Sequence, residues 1–285
     1  MLKQGIFPDT LKIAKVIPVF KQGPCSSCGN YRPISVLSAL SKIFERCILN
    51  QLKFYCLTEN ILASNQYGFR SGYNTTVCLV DLIDEVTKAL DEEKYVESIF
   101  LDLSKAFDTV NHSILLSKLD LYGIRGNENQ WFRSYLSNRK QKVFVNGVES
   151  NFLLINSGVP QGSILGPLFF LIYINDFEKA TNYFSLRLFA DDTSLTATGK
   201  DLDILLQKIN FELPAIHEWL CSNRLTLNLS KTKYLVFQPN QKLNSNYLYP
   251  PLKLADQYLE QSCSVKYLQL IISCFLSWHE HIDHI

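Results

Sequence analysis

Two apolar segments that run directly into carboxylates constrain this chain more than any other feature. Ile99-Phe100-Leu101 ends at Asp102, and Leu186-Arg187-Leu188-Phe189-Ala190 leads into Asp191-Asp192, after which Thr193-Ser194-Leu195-Thr196 follows. Runs of this kind read as strands that bury their flanks, which leaves the acids at a strand end and at a hairpin tip on a sheet edge. Carboxylates gathered there are hard oxygen donors, the ligand type preferred by Mg²⁺. A pair of such cations about 3.5–4 Å apart activates an attacking hydroxyl and stabilises a leaving oxygen, which is the wiring of phosphoryl and nucleotidyl transfer. Singly, each acid also reads as an ordinary polar turn or strand terminus. Their company decides for the metal-binding reading.

Between the acids lies Gly158-Val159-Pro160-Gln161-Gly162-Ser163-Ile164-Leu165-Gly166-Pro167, followed by the apolar run Leu168 to Ile174. Glycine admits close approach of backbone to a ligand, and the Gln161 amide offers a donor and an acceptor at that approach. The apolar run reads as a buried helix, far short of the ~20 residues a bilayer needs. Near the start, Ile17-Pro18-Val19-Phe20-Lys21 and Asn30-Tyr31-Arg32-Pro33-Ile34-Ser35 set Lys21 and Arg32 on either side of a loop, a pairing suited to a triphosphate.

These blocks, with Gln66-Tyr67-Gly68-Phe69-Arg70, Asp102 to Asp108, Phe189-Ala190-Asp191-Asp192 and Leu227 to Lys233, run in one order over nearly the whole chain. In that order the sequence resembles the reverse transcriptase of a non-LTR retrotransposon of the LINE or Jockey-like kind. The resemblance implies an α+β fold of right-hand polymerase fingers and palm, with an antiparallel palm sheet backed by helices and the thumb largely missing. It implies fingers over 1–97 and palm over 98–285, with an interleaved fingers segment at about 125–156 and an end at the primer-grip region. The implied activity is RNA-directed DNA polymerisation, with an RNA template, a DNA primer and dNTPs as partners, no membrane, and work in cytoplasm and nucleus. Its implied cofactors are two Mg²⁺ ions, with Mn²⁺ as a substitute.

Carried over by position, the resemblance makes Asp102, Asp191 and Asp192 the metal-binding catalytic acids, and Lys231 the lysine that protonates departing pyrophosphate. Phe107 matches the steric gate against a ribose 2′-hydroxyl, Gln161 and Gly162 the segment beside the incoming nucleotide, and Arg32 and Lys21 the cations that grip its triphosphate. Two departures stand out. Gly23 to Gly29 carries cysteines and serines where the family is acidic and proline-rich, and Gln269 stands where the primer-grip turn normally has glycine. If that turn requires φ > 0, glutamine strains it by roughly 1–2 kcal/mol. A catalytically silent, truncated nucleic-acid-binding remnant is therefore the alternative reading. A palm-type nucleotide cyclase is a third, against which the Asn30-Tyr31-Arg32-Pro33 block speaks.

The 285 residues carry 28 basic and 27 acidic side chains, a net charge of +1, low for a chain that must neutralise phosphates unless its cations cluster. Eight scattered cysteines suggest a reduced chain; Cys25 and Cys28 have zinc-like spacing but no second ligand pair nearby, and the terminal His279, His281 and His284 read as a tail. Helical stripes are expected at Leu40, Ile43, Phe44, Cys47 and Ile48, at Leu79, Leu82, Ile83, Val86 and Leu90, and at Leu202, Leu205, Leu206, Ile209, Leu213, Ile216 and Leu220, with Pro214 kinking or dividing the last. Asn146-Gly147 suits a type I′ hairpin, Tyr234 to Phe237 reads as a strand, and Pro239 to Pro251 as a surface loop. Arg70 is expected either to stack on a template base or to sit as a packed residue with a solvated cation.

Overall fold

The structure, a computed structural model, describes residues 2–239 and 251–285, so nearly all of the expected surface loop lies outside the described residues. In chain order the elements are β1 (Ile13–Phe20), β2 (Tyr31–Val36), α1 (Ala39–Thr58), α2 (Thr75–Asp91), β3 (Tyr95–Asp102), α3 (Ala106–Thr109), α4 (His112–Leu121), α5 (Gly126–Leu136), β4 (Arg139–Val145), β5 (Val148–Glu149), β6 (Leu153–Ile155) and α6 (Gly166–Ile174). They continue with β7 (Ser185–Phe189), β8 (Asp192–Gly199), α7 (Leu202–Ser222), β9 (Lys233–Phe237), β10 (Lys253–Leu254), β11 (Gln257–Tyr258), β12 (Glu260–Gln261), β13 (Ser264–Tyr267), β14 (Leu270–Ser273) and α8 (His279–Ile282). Two compact units interleave along the chain, Met1–Leu62 with Lys105–Ile174 and Ala63–Ser104 with Asn175–Ile285. These are packing units, whereas the expected division at 97/98 is one of role.

The first unit is built on a sheet in the order β2-β1-β4-β5, with β6 on β4. The Asn146-Gly147 turn closes β4 onto β5 with both residues at positive φ, as a type I′ turn requires. Helix α6 is buried all along its length, and α4 packs against both α5 and α6. In α5, Trp131, Phe132, Tyr135 and Leu136 are all buried, and Phe7 meets Trp131 and Tyr135 edge-on. The stripe expected on α1 is corrected: Leu40, Ile43 and Cys47 face solvent, and the buried side runs through Ser41, Glu45, Ile48, Leu52 and Cys56. A polar pair causes the rotation. Ser41 Oγ donates to Glu45 Oε1 at 3.0 Å, and the amide of Ile164 donates to Glu45 Oε2 at 2.6 Å, so the hydrogen-bonded acid rather than the apolar residues turns inward.

The second unit is built on a sheet in the order β12-β9-β3-β8-β7, with β3 antiparallel to both β8 and β9. On one face Val96 and Phe100 join Cys78, Leu82 and Val86 of α2, Leu235 and Phe237 of β9, and Tyr267 and Ile272 of the β13–β14 hairpin. All seven residues of the α7 stripe are buried, and that helix continues through Pro214 instead of dividing there. Proline lacks only one donor, and seven buried apolar side chains outweigh it. Arg187 of β7 is 4% exposed and fastened to α2, its Nε donating to Asp81 Oδ2 at 2.6 Å and its Nη2 to Glu85 Oε2 at 2.5 Å.

Two features of this unit carry strain. Tyr267 pairs with Leu270, so the hairpin turns on Leu268 and Gln269 alone, at φ +47° and +72°. Gln269→Gly should therefore raise the unfolding free energy by about 1 kcal/mol in urea titrations, and no gain would show that the turn is relaxed. Glu97, in the middle of β3, is fully buried, and neither carboxylate oxygen has a hydrogen-bond partner among the described residues. Burial holds its carboxyl well above the usual carboxylate range. The folded state thus keeps a proton that the unfolded chain releases, and stability present at low pH is lost as pH climbs above the ordinary carboxylate range. Glu97→Leu should flatten that decline and stabilise the chain at pH 8, as measured by urea midpoints at several pH values; an unchanged pH profile would contradict it.

Candidate active site

The antiparallel register of β3 on β8 sets Asp102 directly opposite Asp192. Phe189 pairs with Asp192, which leaves Ala190 and Asp191 as a two-residue turn with positive φ only at Ala190, +55°. That pattern is a type II′ hairpin, whose first position favours glycine, and an alanine there costs roughly 1–2 kcal/mol. Three acids are thereby gathered at one end of the sheet, Asp102 and Asp191 half-buried and Asp192 exposed.

The end of β3 is tied down from its other side. The amide of Asn228 donates to Asp102 O at 2.8 Å, that of Ser104 to Thr226 O at 2.7 Å, and that of Asp102 to Thr232 Oγ1 at 3.3 Å. The amides of Lys231 and Thr232 both return to Asn228 O, so Lys231 sits exposed on a tight turn whose base is bonded to Asp102. The second unit therefore brings Asp102, Asp191, Asp192 and the turn carrying Lys231 together.

Although the Asp192 side chain reaches solvent, the protein packed around the sheet end strips water from its carboxyl, and this, followed by the negative charges of Asp191 and Asp102, pushes it up to about 6. Among the described residues no three His, Cys, Asp or Glu side chains close into a metal cage by themselves. The donor set nonetheless fits Mg²⁺, which keeps waters and takes further oxygens from substrate phosphates. A cation would relieve the repulsion that raises Asp192.

The remaining candidates belong to the first unit. Lys21 follows β1, and Arg32 of β2 pairs with Val19, two residues before Lys21; period-two alternation thus sets both exposed cations on one face of the hairpin. The Phe107 ring stacks on Phe170 with centroids 4.6 Å apart, which fixes its plane. Next to it, Asp108 Oδ1 accepts from Gln161 Nε2 at 2.9 Å and aims that carboxamide. The Gln161 segment is laced to its neighbours through backbone, Val159 N to Phe107 O at 2.8 Å and Ser35 N to Gln161 O at 2.7 Å. Gly162 has φ +119°, and a Cβ there would stand 2.6 Å from Ser35 O, so only glycine lets the loop lie against β2. Phe107, Gln161, Gly162 and the strand bearing Arg32 are thus one connected group.

Arg70 takes the packed reading. Its Nη1 donates to the carbonyls of Ala63 and Gln66 at 2.6 and 3.1 Å, and its guanidinium lies over Tyr73, 4.6 Å from the ring centroid. Cys25 and Cys28 are both exposed. No helix of the described residues is long and apolar enough to cross a membrane. Two residues the sequence reading gave no role, Asp108 and Gln66, turn out to hold candidate site groups; each lay in a quoted motif, but a contact across the fold was needed to single it out.

A family profile described as "Reverse transcriptase (RNA-dependent DNA polymerase)" matches residues 19–272. The chain is 30% identical to a "Probable RNA-directed DNA polymerase from transposon BS" of Drosophila melanogaster, over 99% of this chain and 32% of that protein. It is 28% identical to the "RNA-directed DNA polymerase from mobile element jockey" of the same organism, over 100% of this chain and 31% of the other. It spans about a third of the length of these relatives. Among solved structures, apo telomerase from Candida tropicalis truncated from its C-terminal domain superposes with a TM-score of 0.59 at 18% identity, over 96% of this chain and 55% of the other. Telomerase of that organism in complex with a TWJ fragment of telomeric RNA gives 0.58 at 15%, over 84% and 43%. The shared architecture is the polymerase fingers and palm.

If the three acids take up cations, protonation must compete with them. Mg²⁺ should raise the melting temperature at pH 8 and lose that effect below about pH 6, where Asp192 takes up a proton. Asp192→Asn should abolish the Mg²⁺ shift at pH 8; a shift that survives in the variant would remove Asp192 from the donor set.

Proposed function

The chain belongs to the reverse transcriptase (RNA-dependent DNA polymerase) family, and from that membership we propose that it adds template-directed dNTPs to a primer 3′-hydroxyl on an RNA template, as part of a non-LTR retrotransposon. The observation that carries the proposal is the register that sets Asp102 against Asp192 with Asp191 at the adjoining hairpin tip. Asp102, Asp191 and Asp192 hold divalent cations, Mg²⁺ in the first place and Mn²⁺ as a substitute. When bound, two such ions lower the pKa of the attacking hydroxyl and offset the charge on the leaving oxygen.

The chain's own residues do the rest. Arg32 and Lys21 grip the triphosphate, Arg32 through the planar fork that suits phosphate oxygens. Gln161, aimed by Asp108, and Gly162, which keeps side-chain bulk away, form the wall beside the incoming nucleotide. The Phe107 ring, held by Phe170, excludes a 2′-hydroxyl by collision. Lys231 supplies a proton to departing pyrophosphate. Translation in the cytoplasm and synthesis at a nuclear target are the compartments this role implies.

Extension of a DNA primer on an RNA template by the purified chain, with Asp191→Ala/Asp192→Ala as control, tests the reading. Mg²⁺-dependent extension lost in the control supports it; primer-template binding without extension by either favours the silent remnant. Phe107→Val should raise ribonucleotide incorporation by about tenfold or more relative to dNTPs. Unchanged discrimination would remove Phe107 from the gate.

A further inference from the structure

Gln66 is fully buried, and its carboxamide oxygen accepts two backbone amides, Gly68 N at 2.8 Å and Ala190 N at 3.3 Å. Both donors are N–H groups, which fixes the orientation of the amide. Ala190 is 4% exposed and immediately precedes Asp191, so its amide has little access to water and depends on this acceptor. It is also the residue of the turn that adopts the left-handed conformation, φ +55°. The contact is not isolated. Tyr67 N donates to Leu188 O at 2.7 Å and Leu188 N to Asn65 O at 2.9 Å, so the segment around Gln66 pairs in parallel along the outer edge of β7, just before the turn. Gly68 completes the seat, since a Cβ there would lie 2.5 Å from Ala190 N. Arg70 closes the loop from behind through the carbonyls of Ala63 and Gln66.

We propose that Gln66 is a positioning residue for nucleotidyl transfer: its side-chain oxygen holds the Ala190 amide and thereby keeps the hairpin turn in the shape that presents Asp191 and Asp192 to divalent cations. This rests on the polymerase reading for its catalytic consequence, while the hydrogen bond and the cation affinity are measured apart from turnover. Loss of the acceptor frees an amide at the strained corner of the turn, and the turn relaxes toward conformations in which the two carboxylates no longer share a direction. Triphosphate and primer-template contacts assigned to other residues are untouched. The predicted signature is a loss in kcat and in cation affinity at constant KM for dNTP.

The test compares Gln66→Met, of similar size without the acceptor, with Gln66→Glu, which keeps an accepting oxygen. Hydrogen exchange resolved at the Ala190 amide should quicken by about tenfold or more in Gln66→Met and stay within about threefold of wild type in Gln66→Glu. Mn²⁺ affinity, followed by EPR, should weaken in the first variant and hold or tighten in the second. In primer extension, Gln66→Met should lower kcat by about tenfold and raise the Mg²⁺ concentration for half-maximal rate, with KM for dNTP unchanged and Gln66→Glu rescuing. Should Gln66→Met fail to fold, Gly68→Ala disturbs the same amide from the other side and should give the same signature. Wild-type exchange at Ala190 and wild-type Mn²⁺ affinity in Gln66→Met would overturn the proposal. An inactive wild-type chain would instead defeat the polymerase reading, and the exchange and EPR results would still decide the role of Gln66.

Discussion

Everything proposed for this chain depends on the ladder between β3 and β8. Side chains alternate along a strand, so a slip of one residue would send Asp102 to the opposite face from its partners and bury it among the apolar residues that follow the other parity. The observed register, Asp102 on Asp192, is held by buried pairs along the same two strands, the apolar Ile99 against Leu195 and the mixed pair Leu101 against Thr193. It is held again by β9, paired to β3 from Val96 to Phe100. The two flanking strands make β3 a central strand, the position where register is most strongly specified.

Held carboxylates come at an electrostatic cost. Loss of hydration at the sheet end, and after it the like charges of Asp191 and Asp102, raise the Asp192 carboxyl to about 6, so the sheet end assembles a donor set that is strained until a cation or a proton arrives. The surrounding structure opposes this with neutral and paired contacts. Arg187 is locked between Asp81 and Glu85, the Cys78-to-Ile272 core backs one face of the sheet, and the turn from Asn228 to Thr232 bonds the backbone of Asp102. In the first unit, backbone hydrogen bonds and one side-chain pair, Asp108 with Gln161, give the Gln161 loop its shape.

Most of the architecture was legible because it rests on local periodicity. The seven-residue stripe of α7, the apolar run of α6, the Asn146-Gly147 turn and the strand at β9 all follow from patterns that side chains impose on their own neighbours. The acids were legible because apolar flanks bracket them. The α1 stripe misled because Glu45, an acid that pattern reading sends to the surface, is buried by partners at Ser41 and Ile164, the latter distant in sequence. Of the two outcomes expected at Pro214, division of the helix does not occur, because burial of a whole helix face outweighs one missing donor. The strain at Gln269 was anticipated and is present in the backbone, whereas the bond between Gln66 and the distant Ala190 is fixed by a folding contact that no spacing encodes.

In the proposed polymerase the paired strands gather three carboxylates to hold two cations at the distance nucleotidyl transfer requires. EPR of the chain with Mn²⁺, an RNA template, a chain-terminated DNA primer and the next dNTP measures this directly. The expected spectrum is that of a coupled Mn²⁺ pair about 3.5–4 Å apart, absent in Asp102→Asn. Uncoupled single ions in the wild-type complex, or a coupled pair that persists without Asp102, would contradict it.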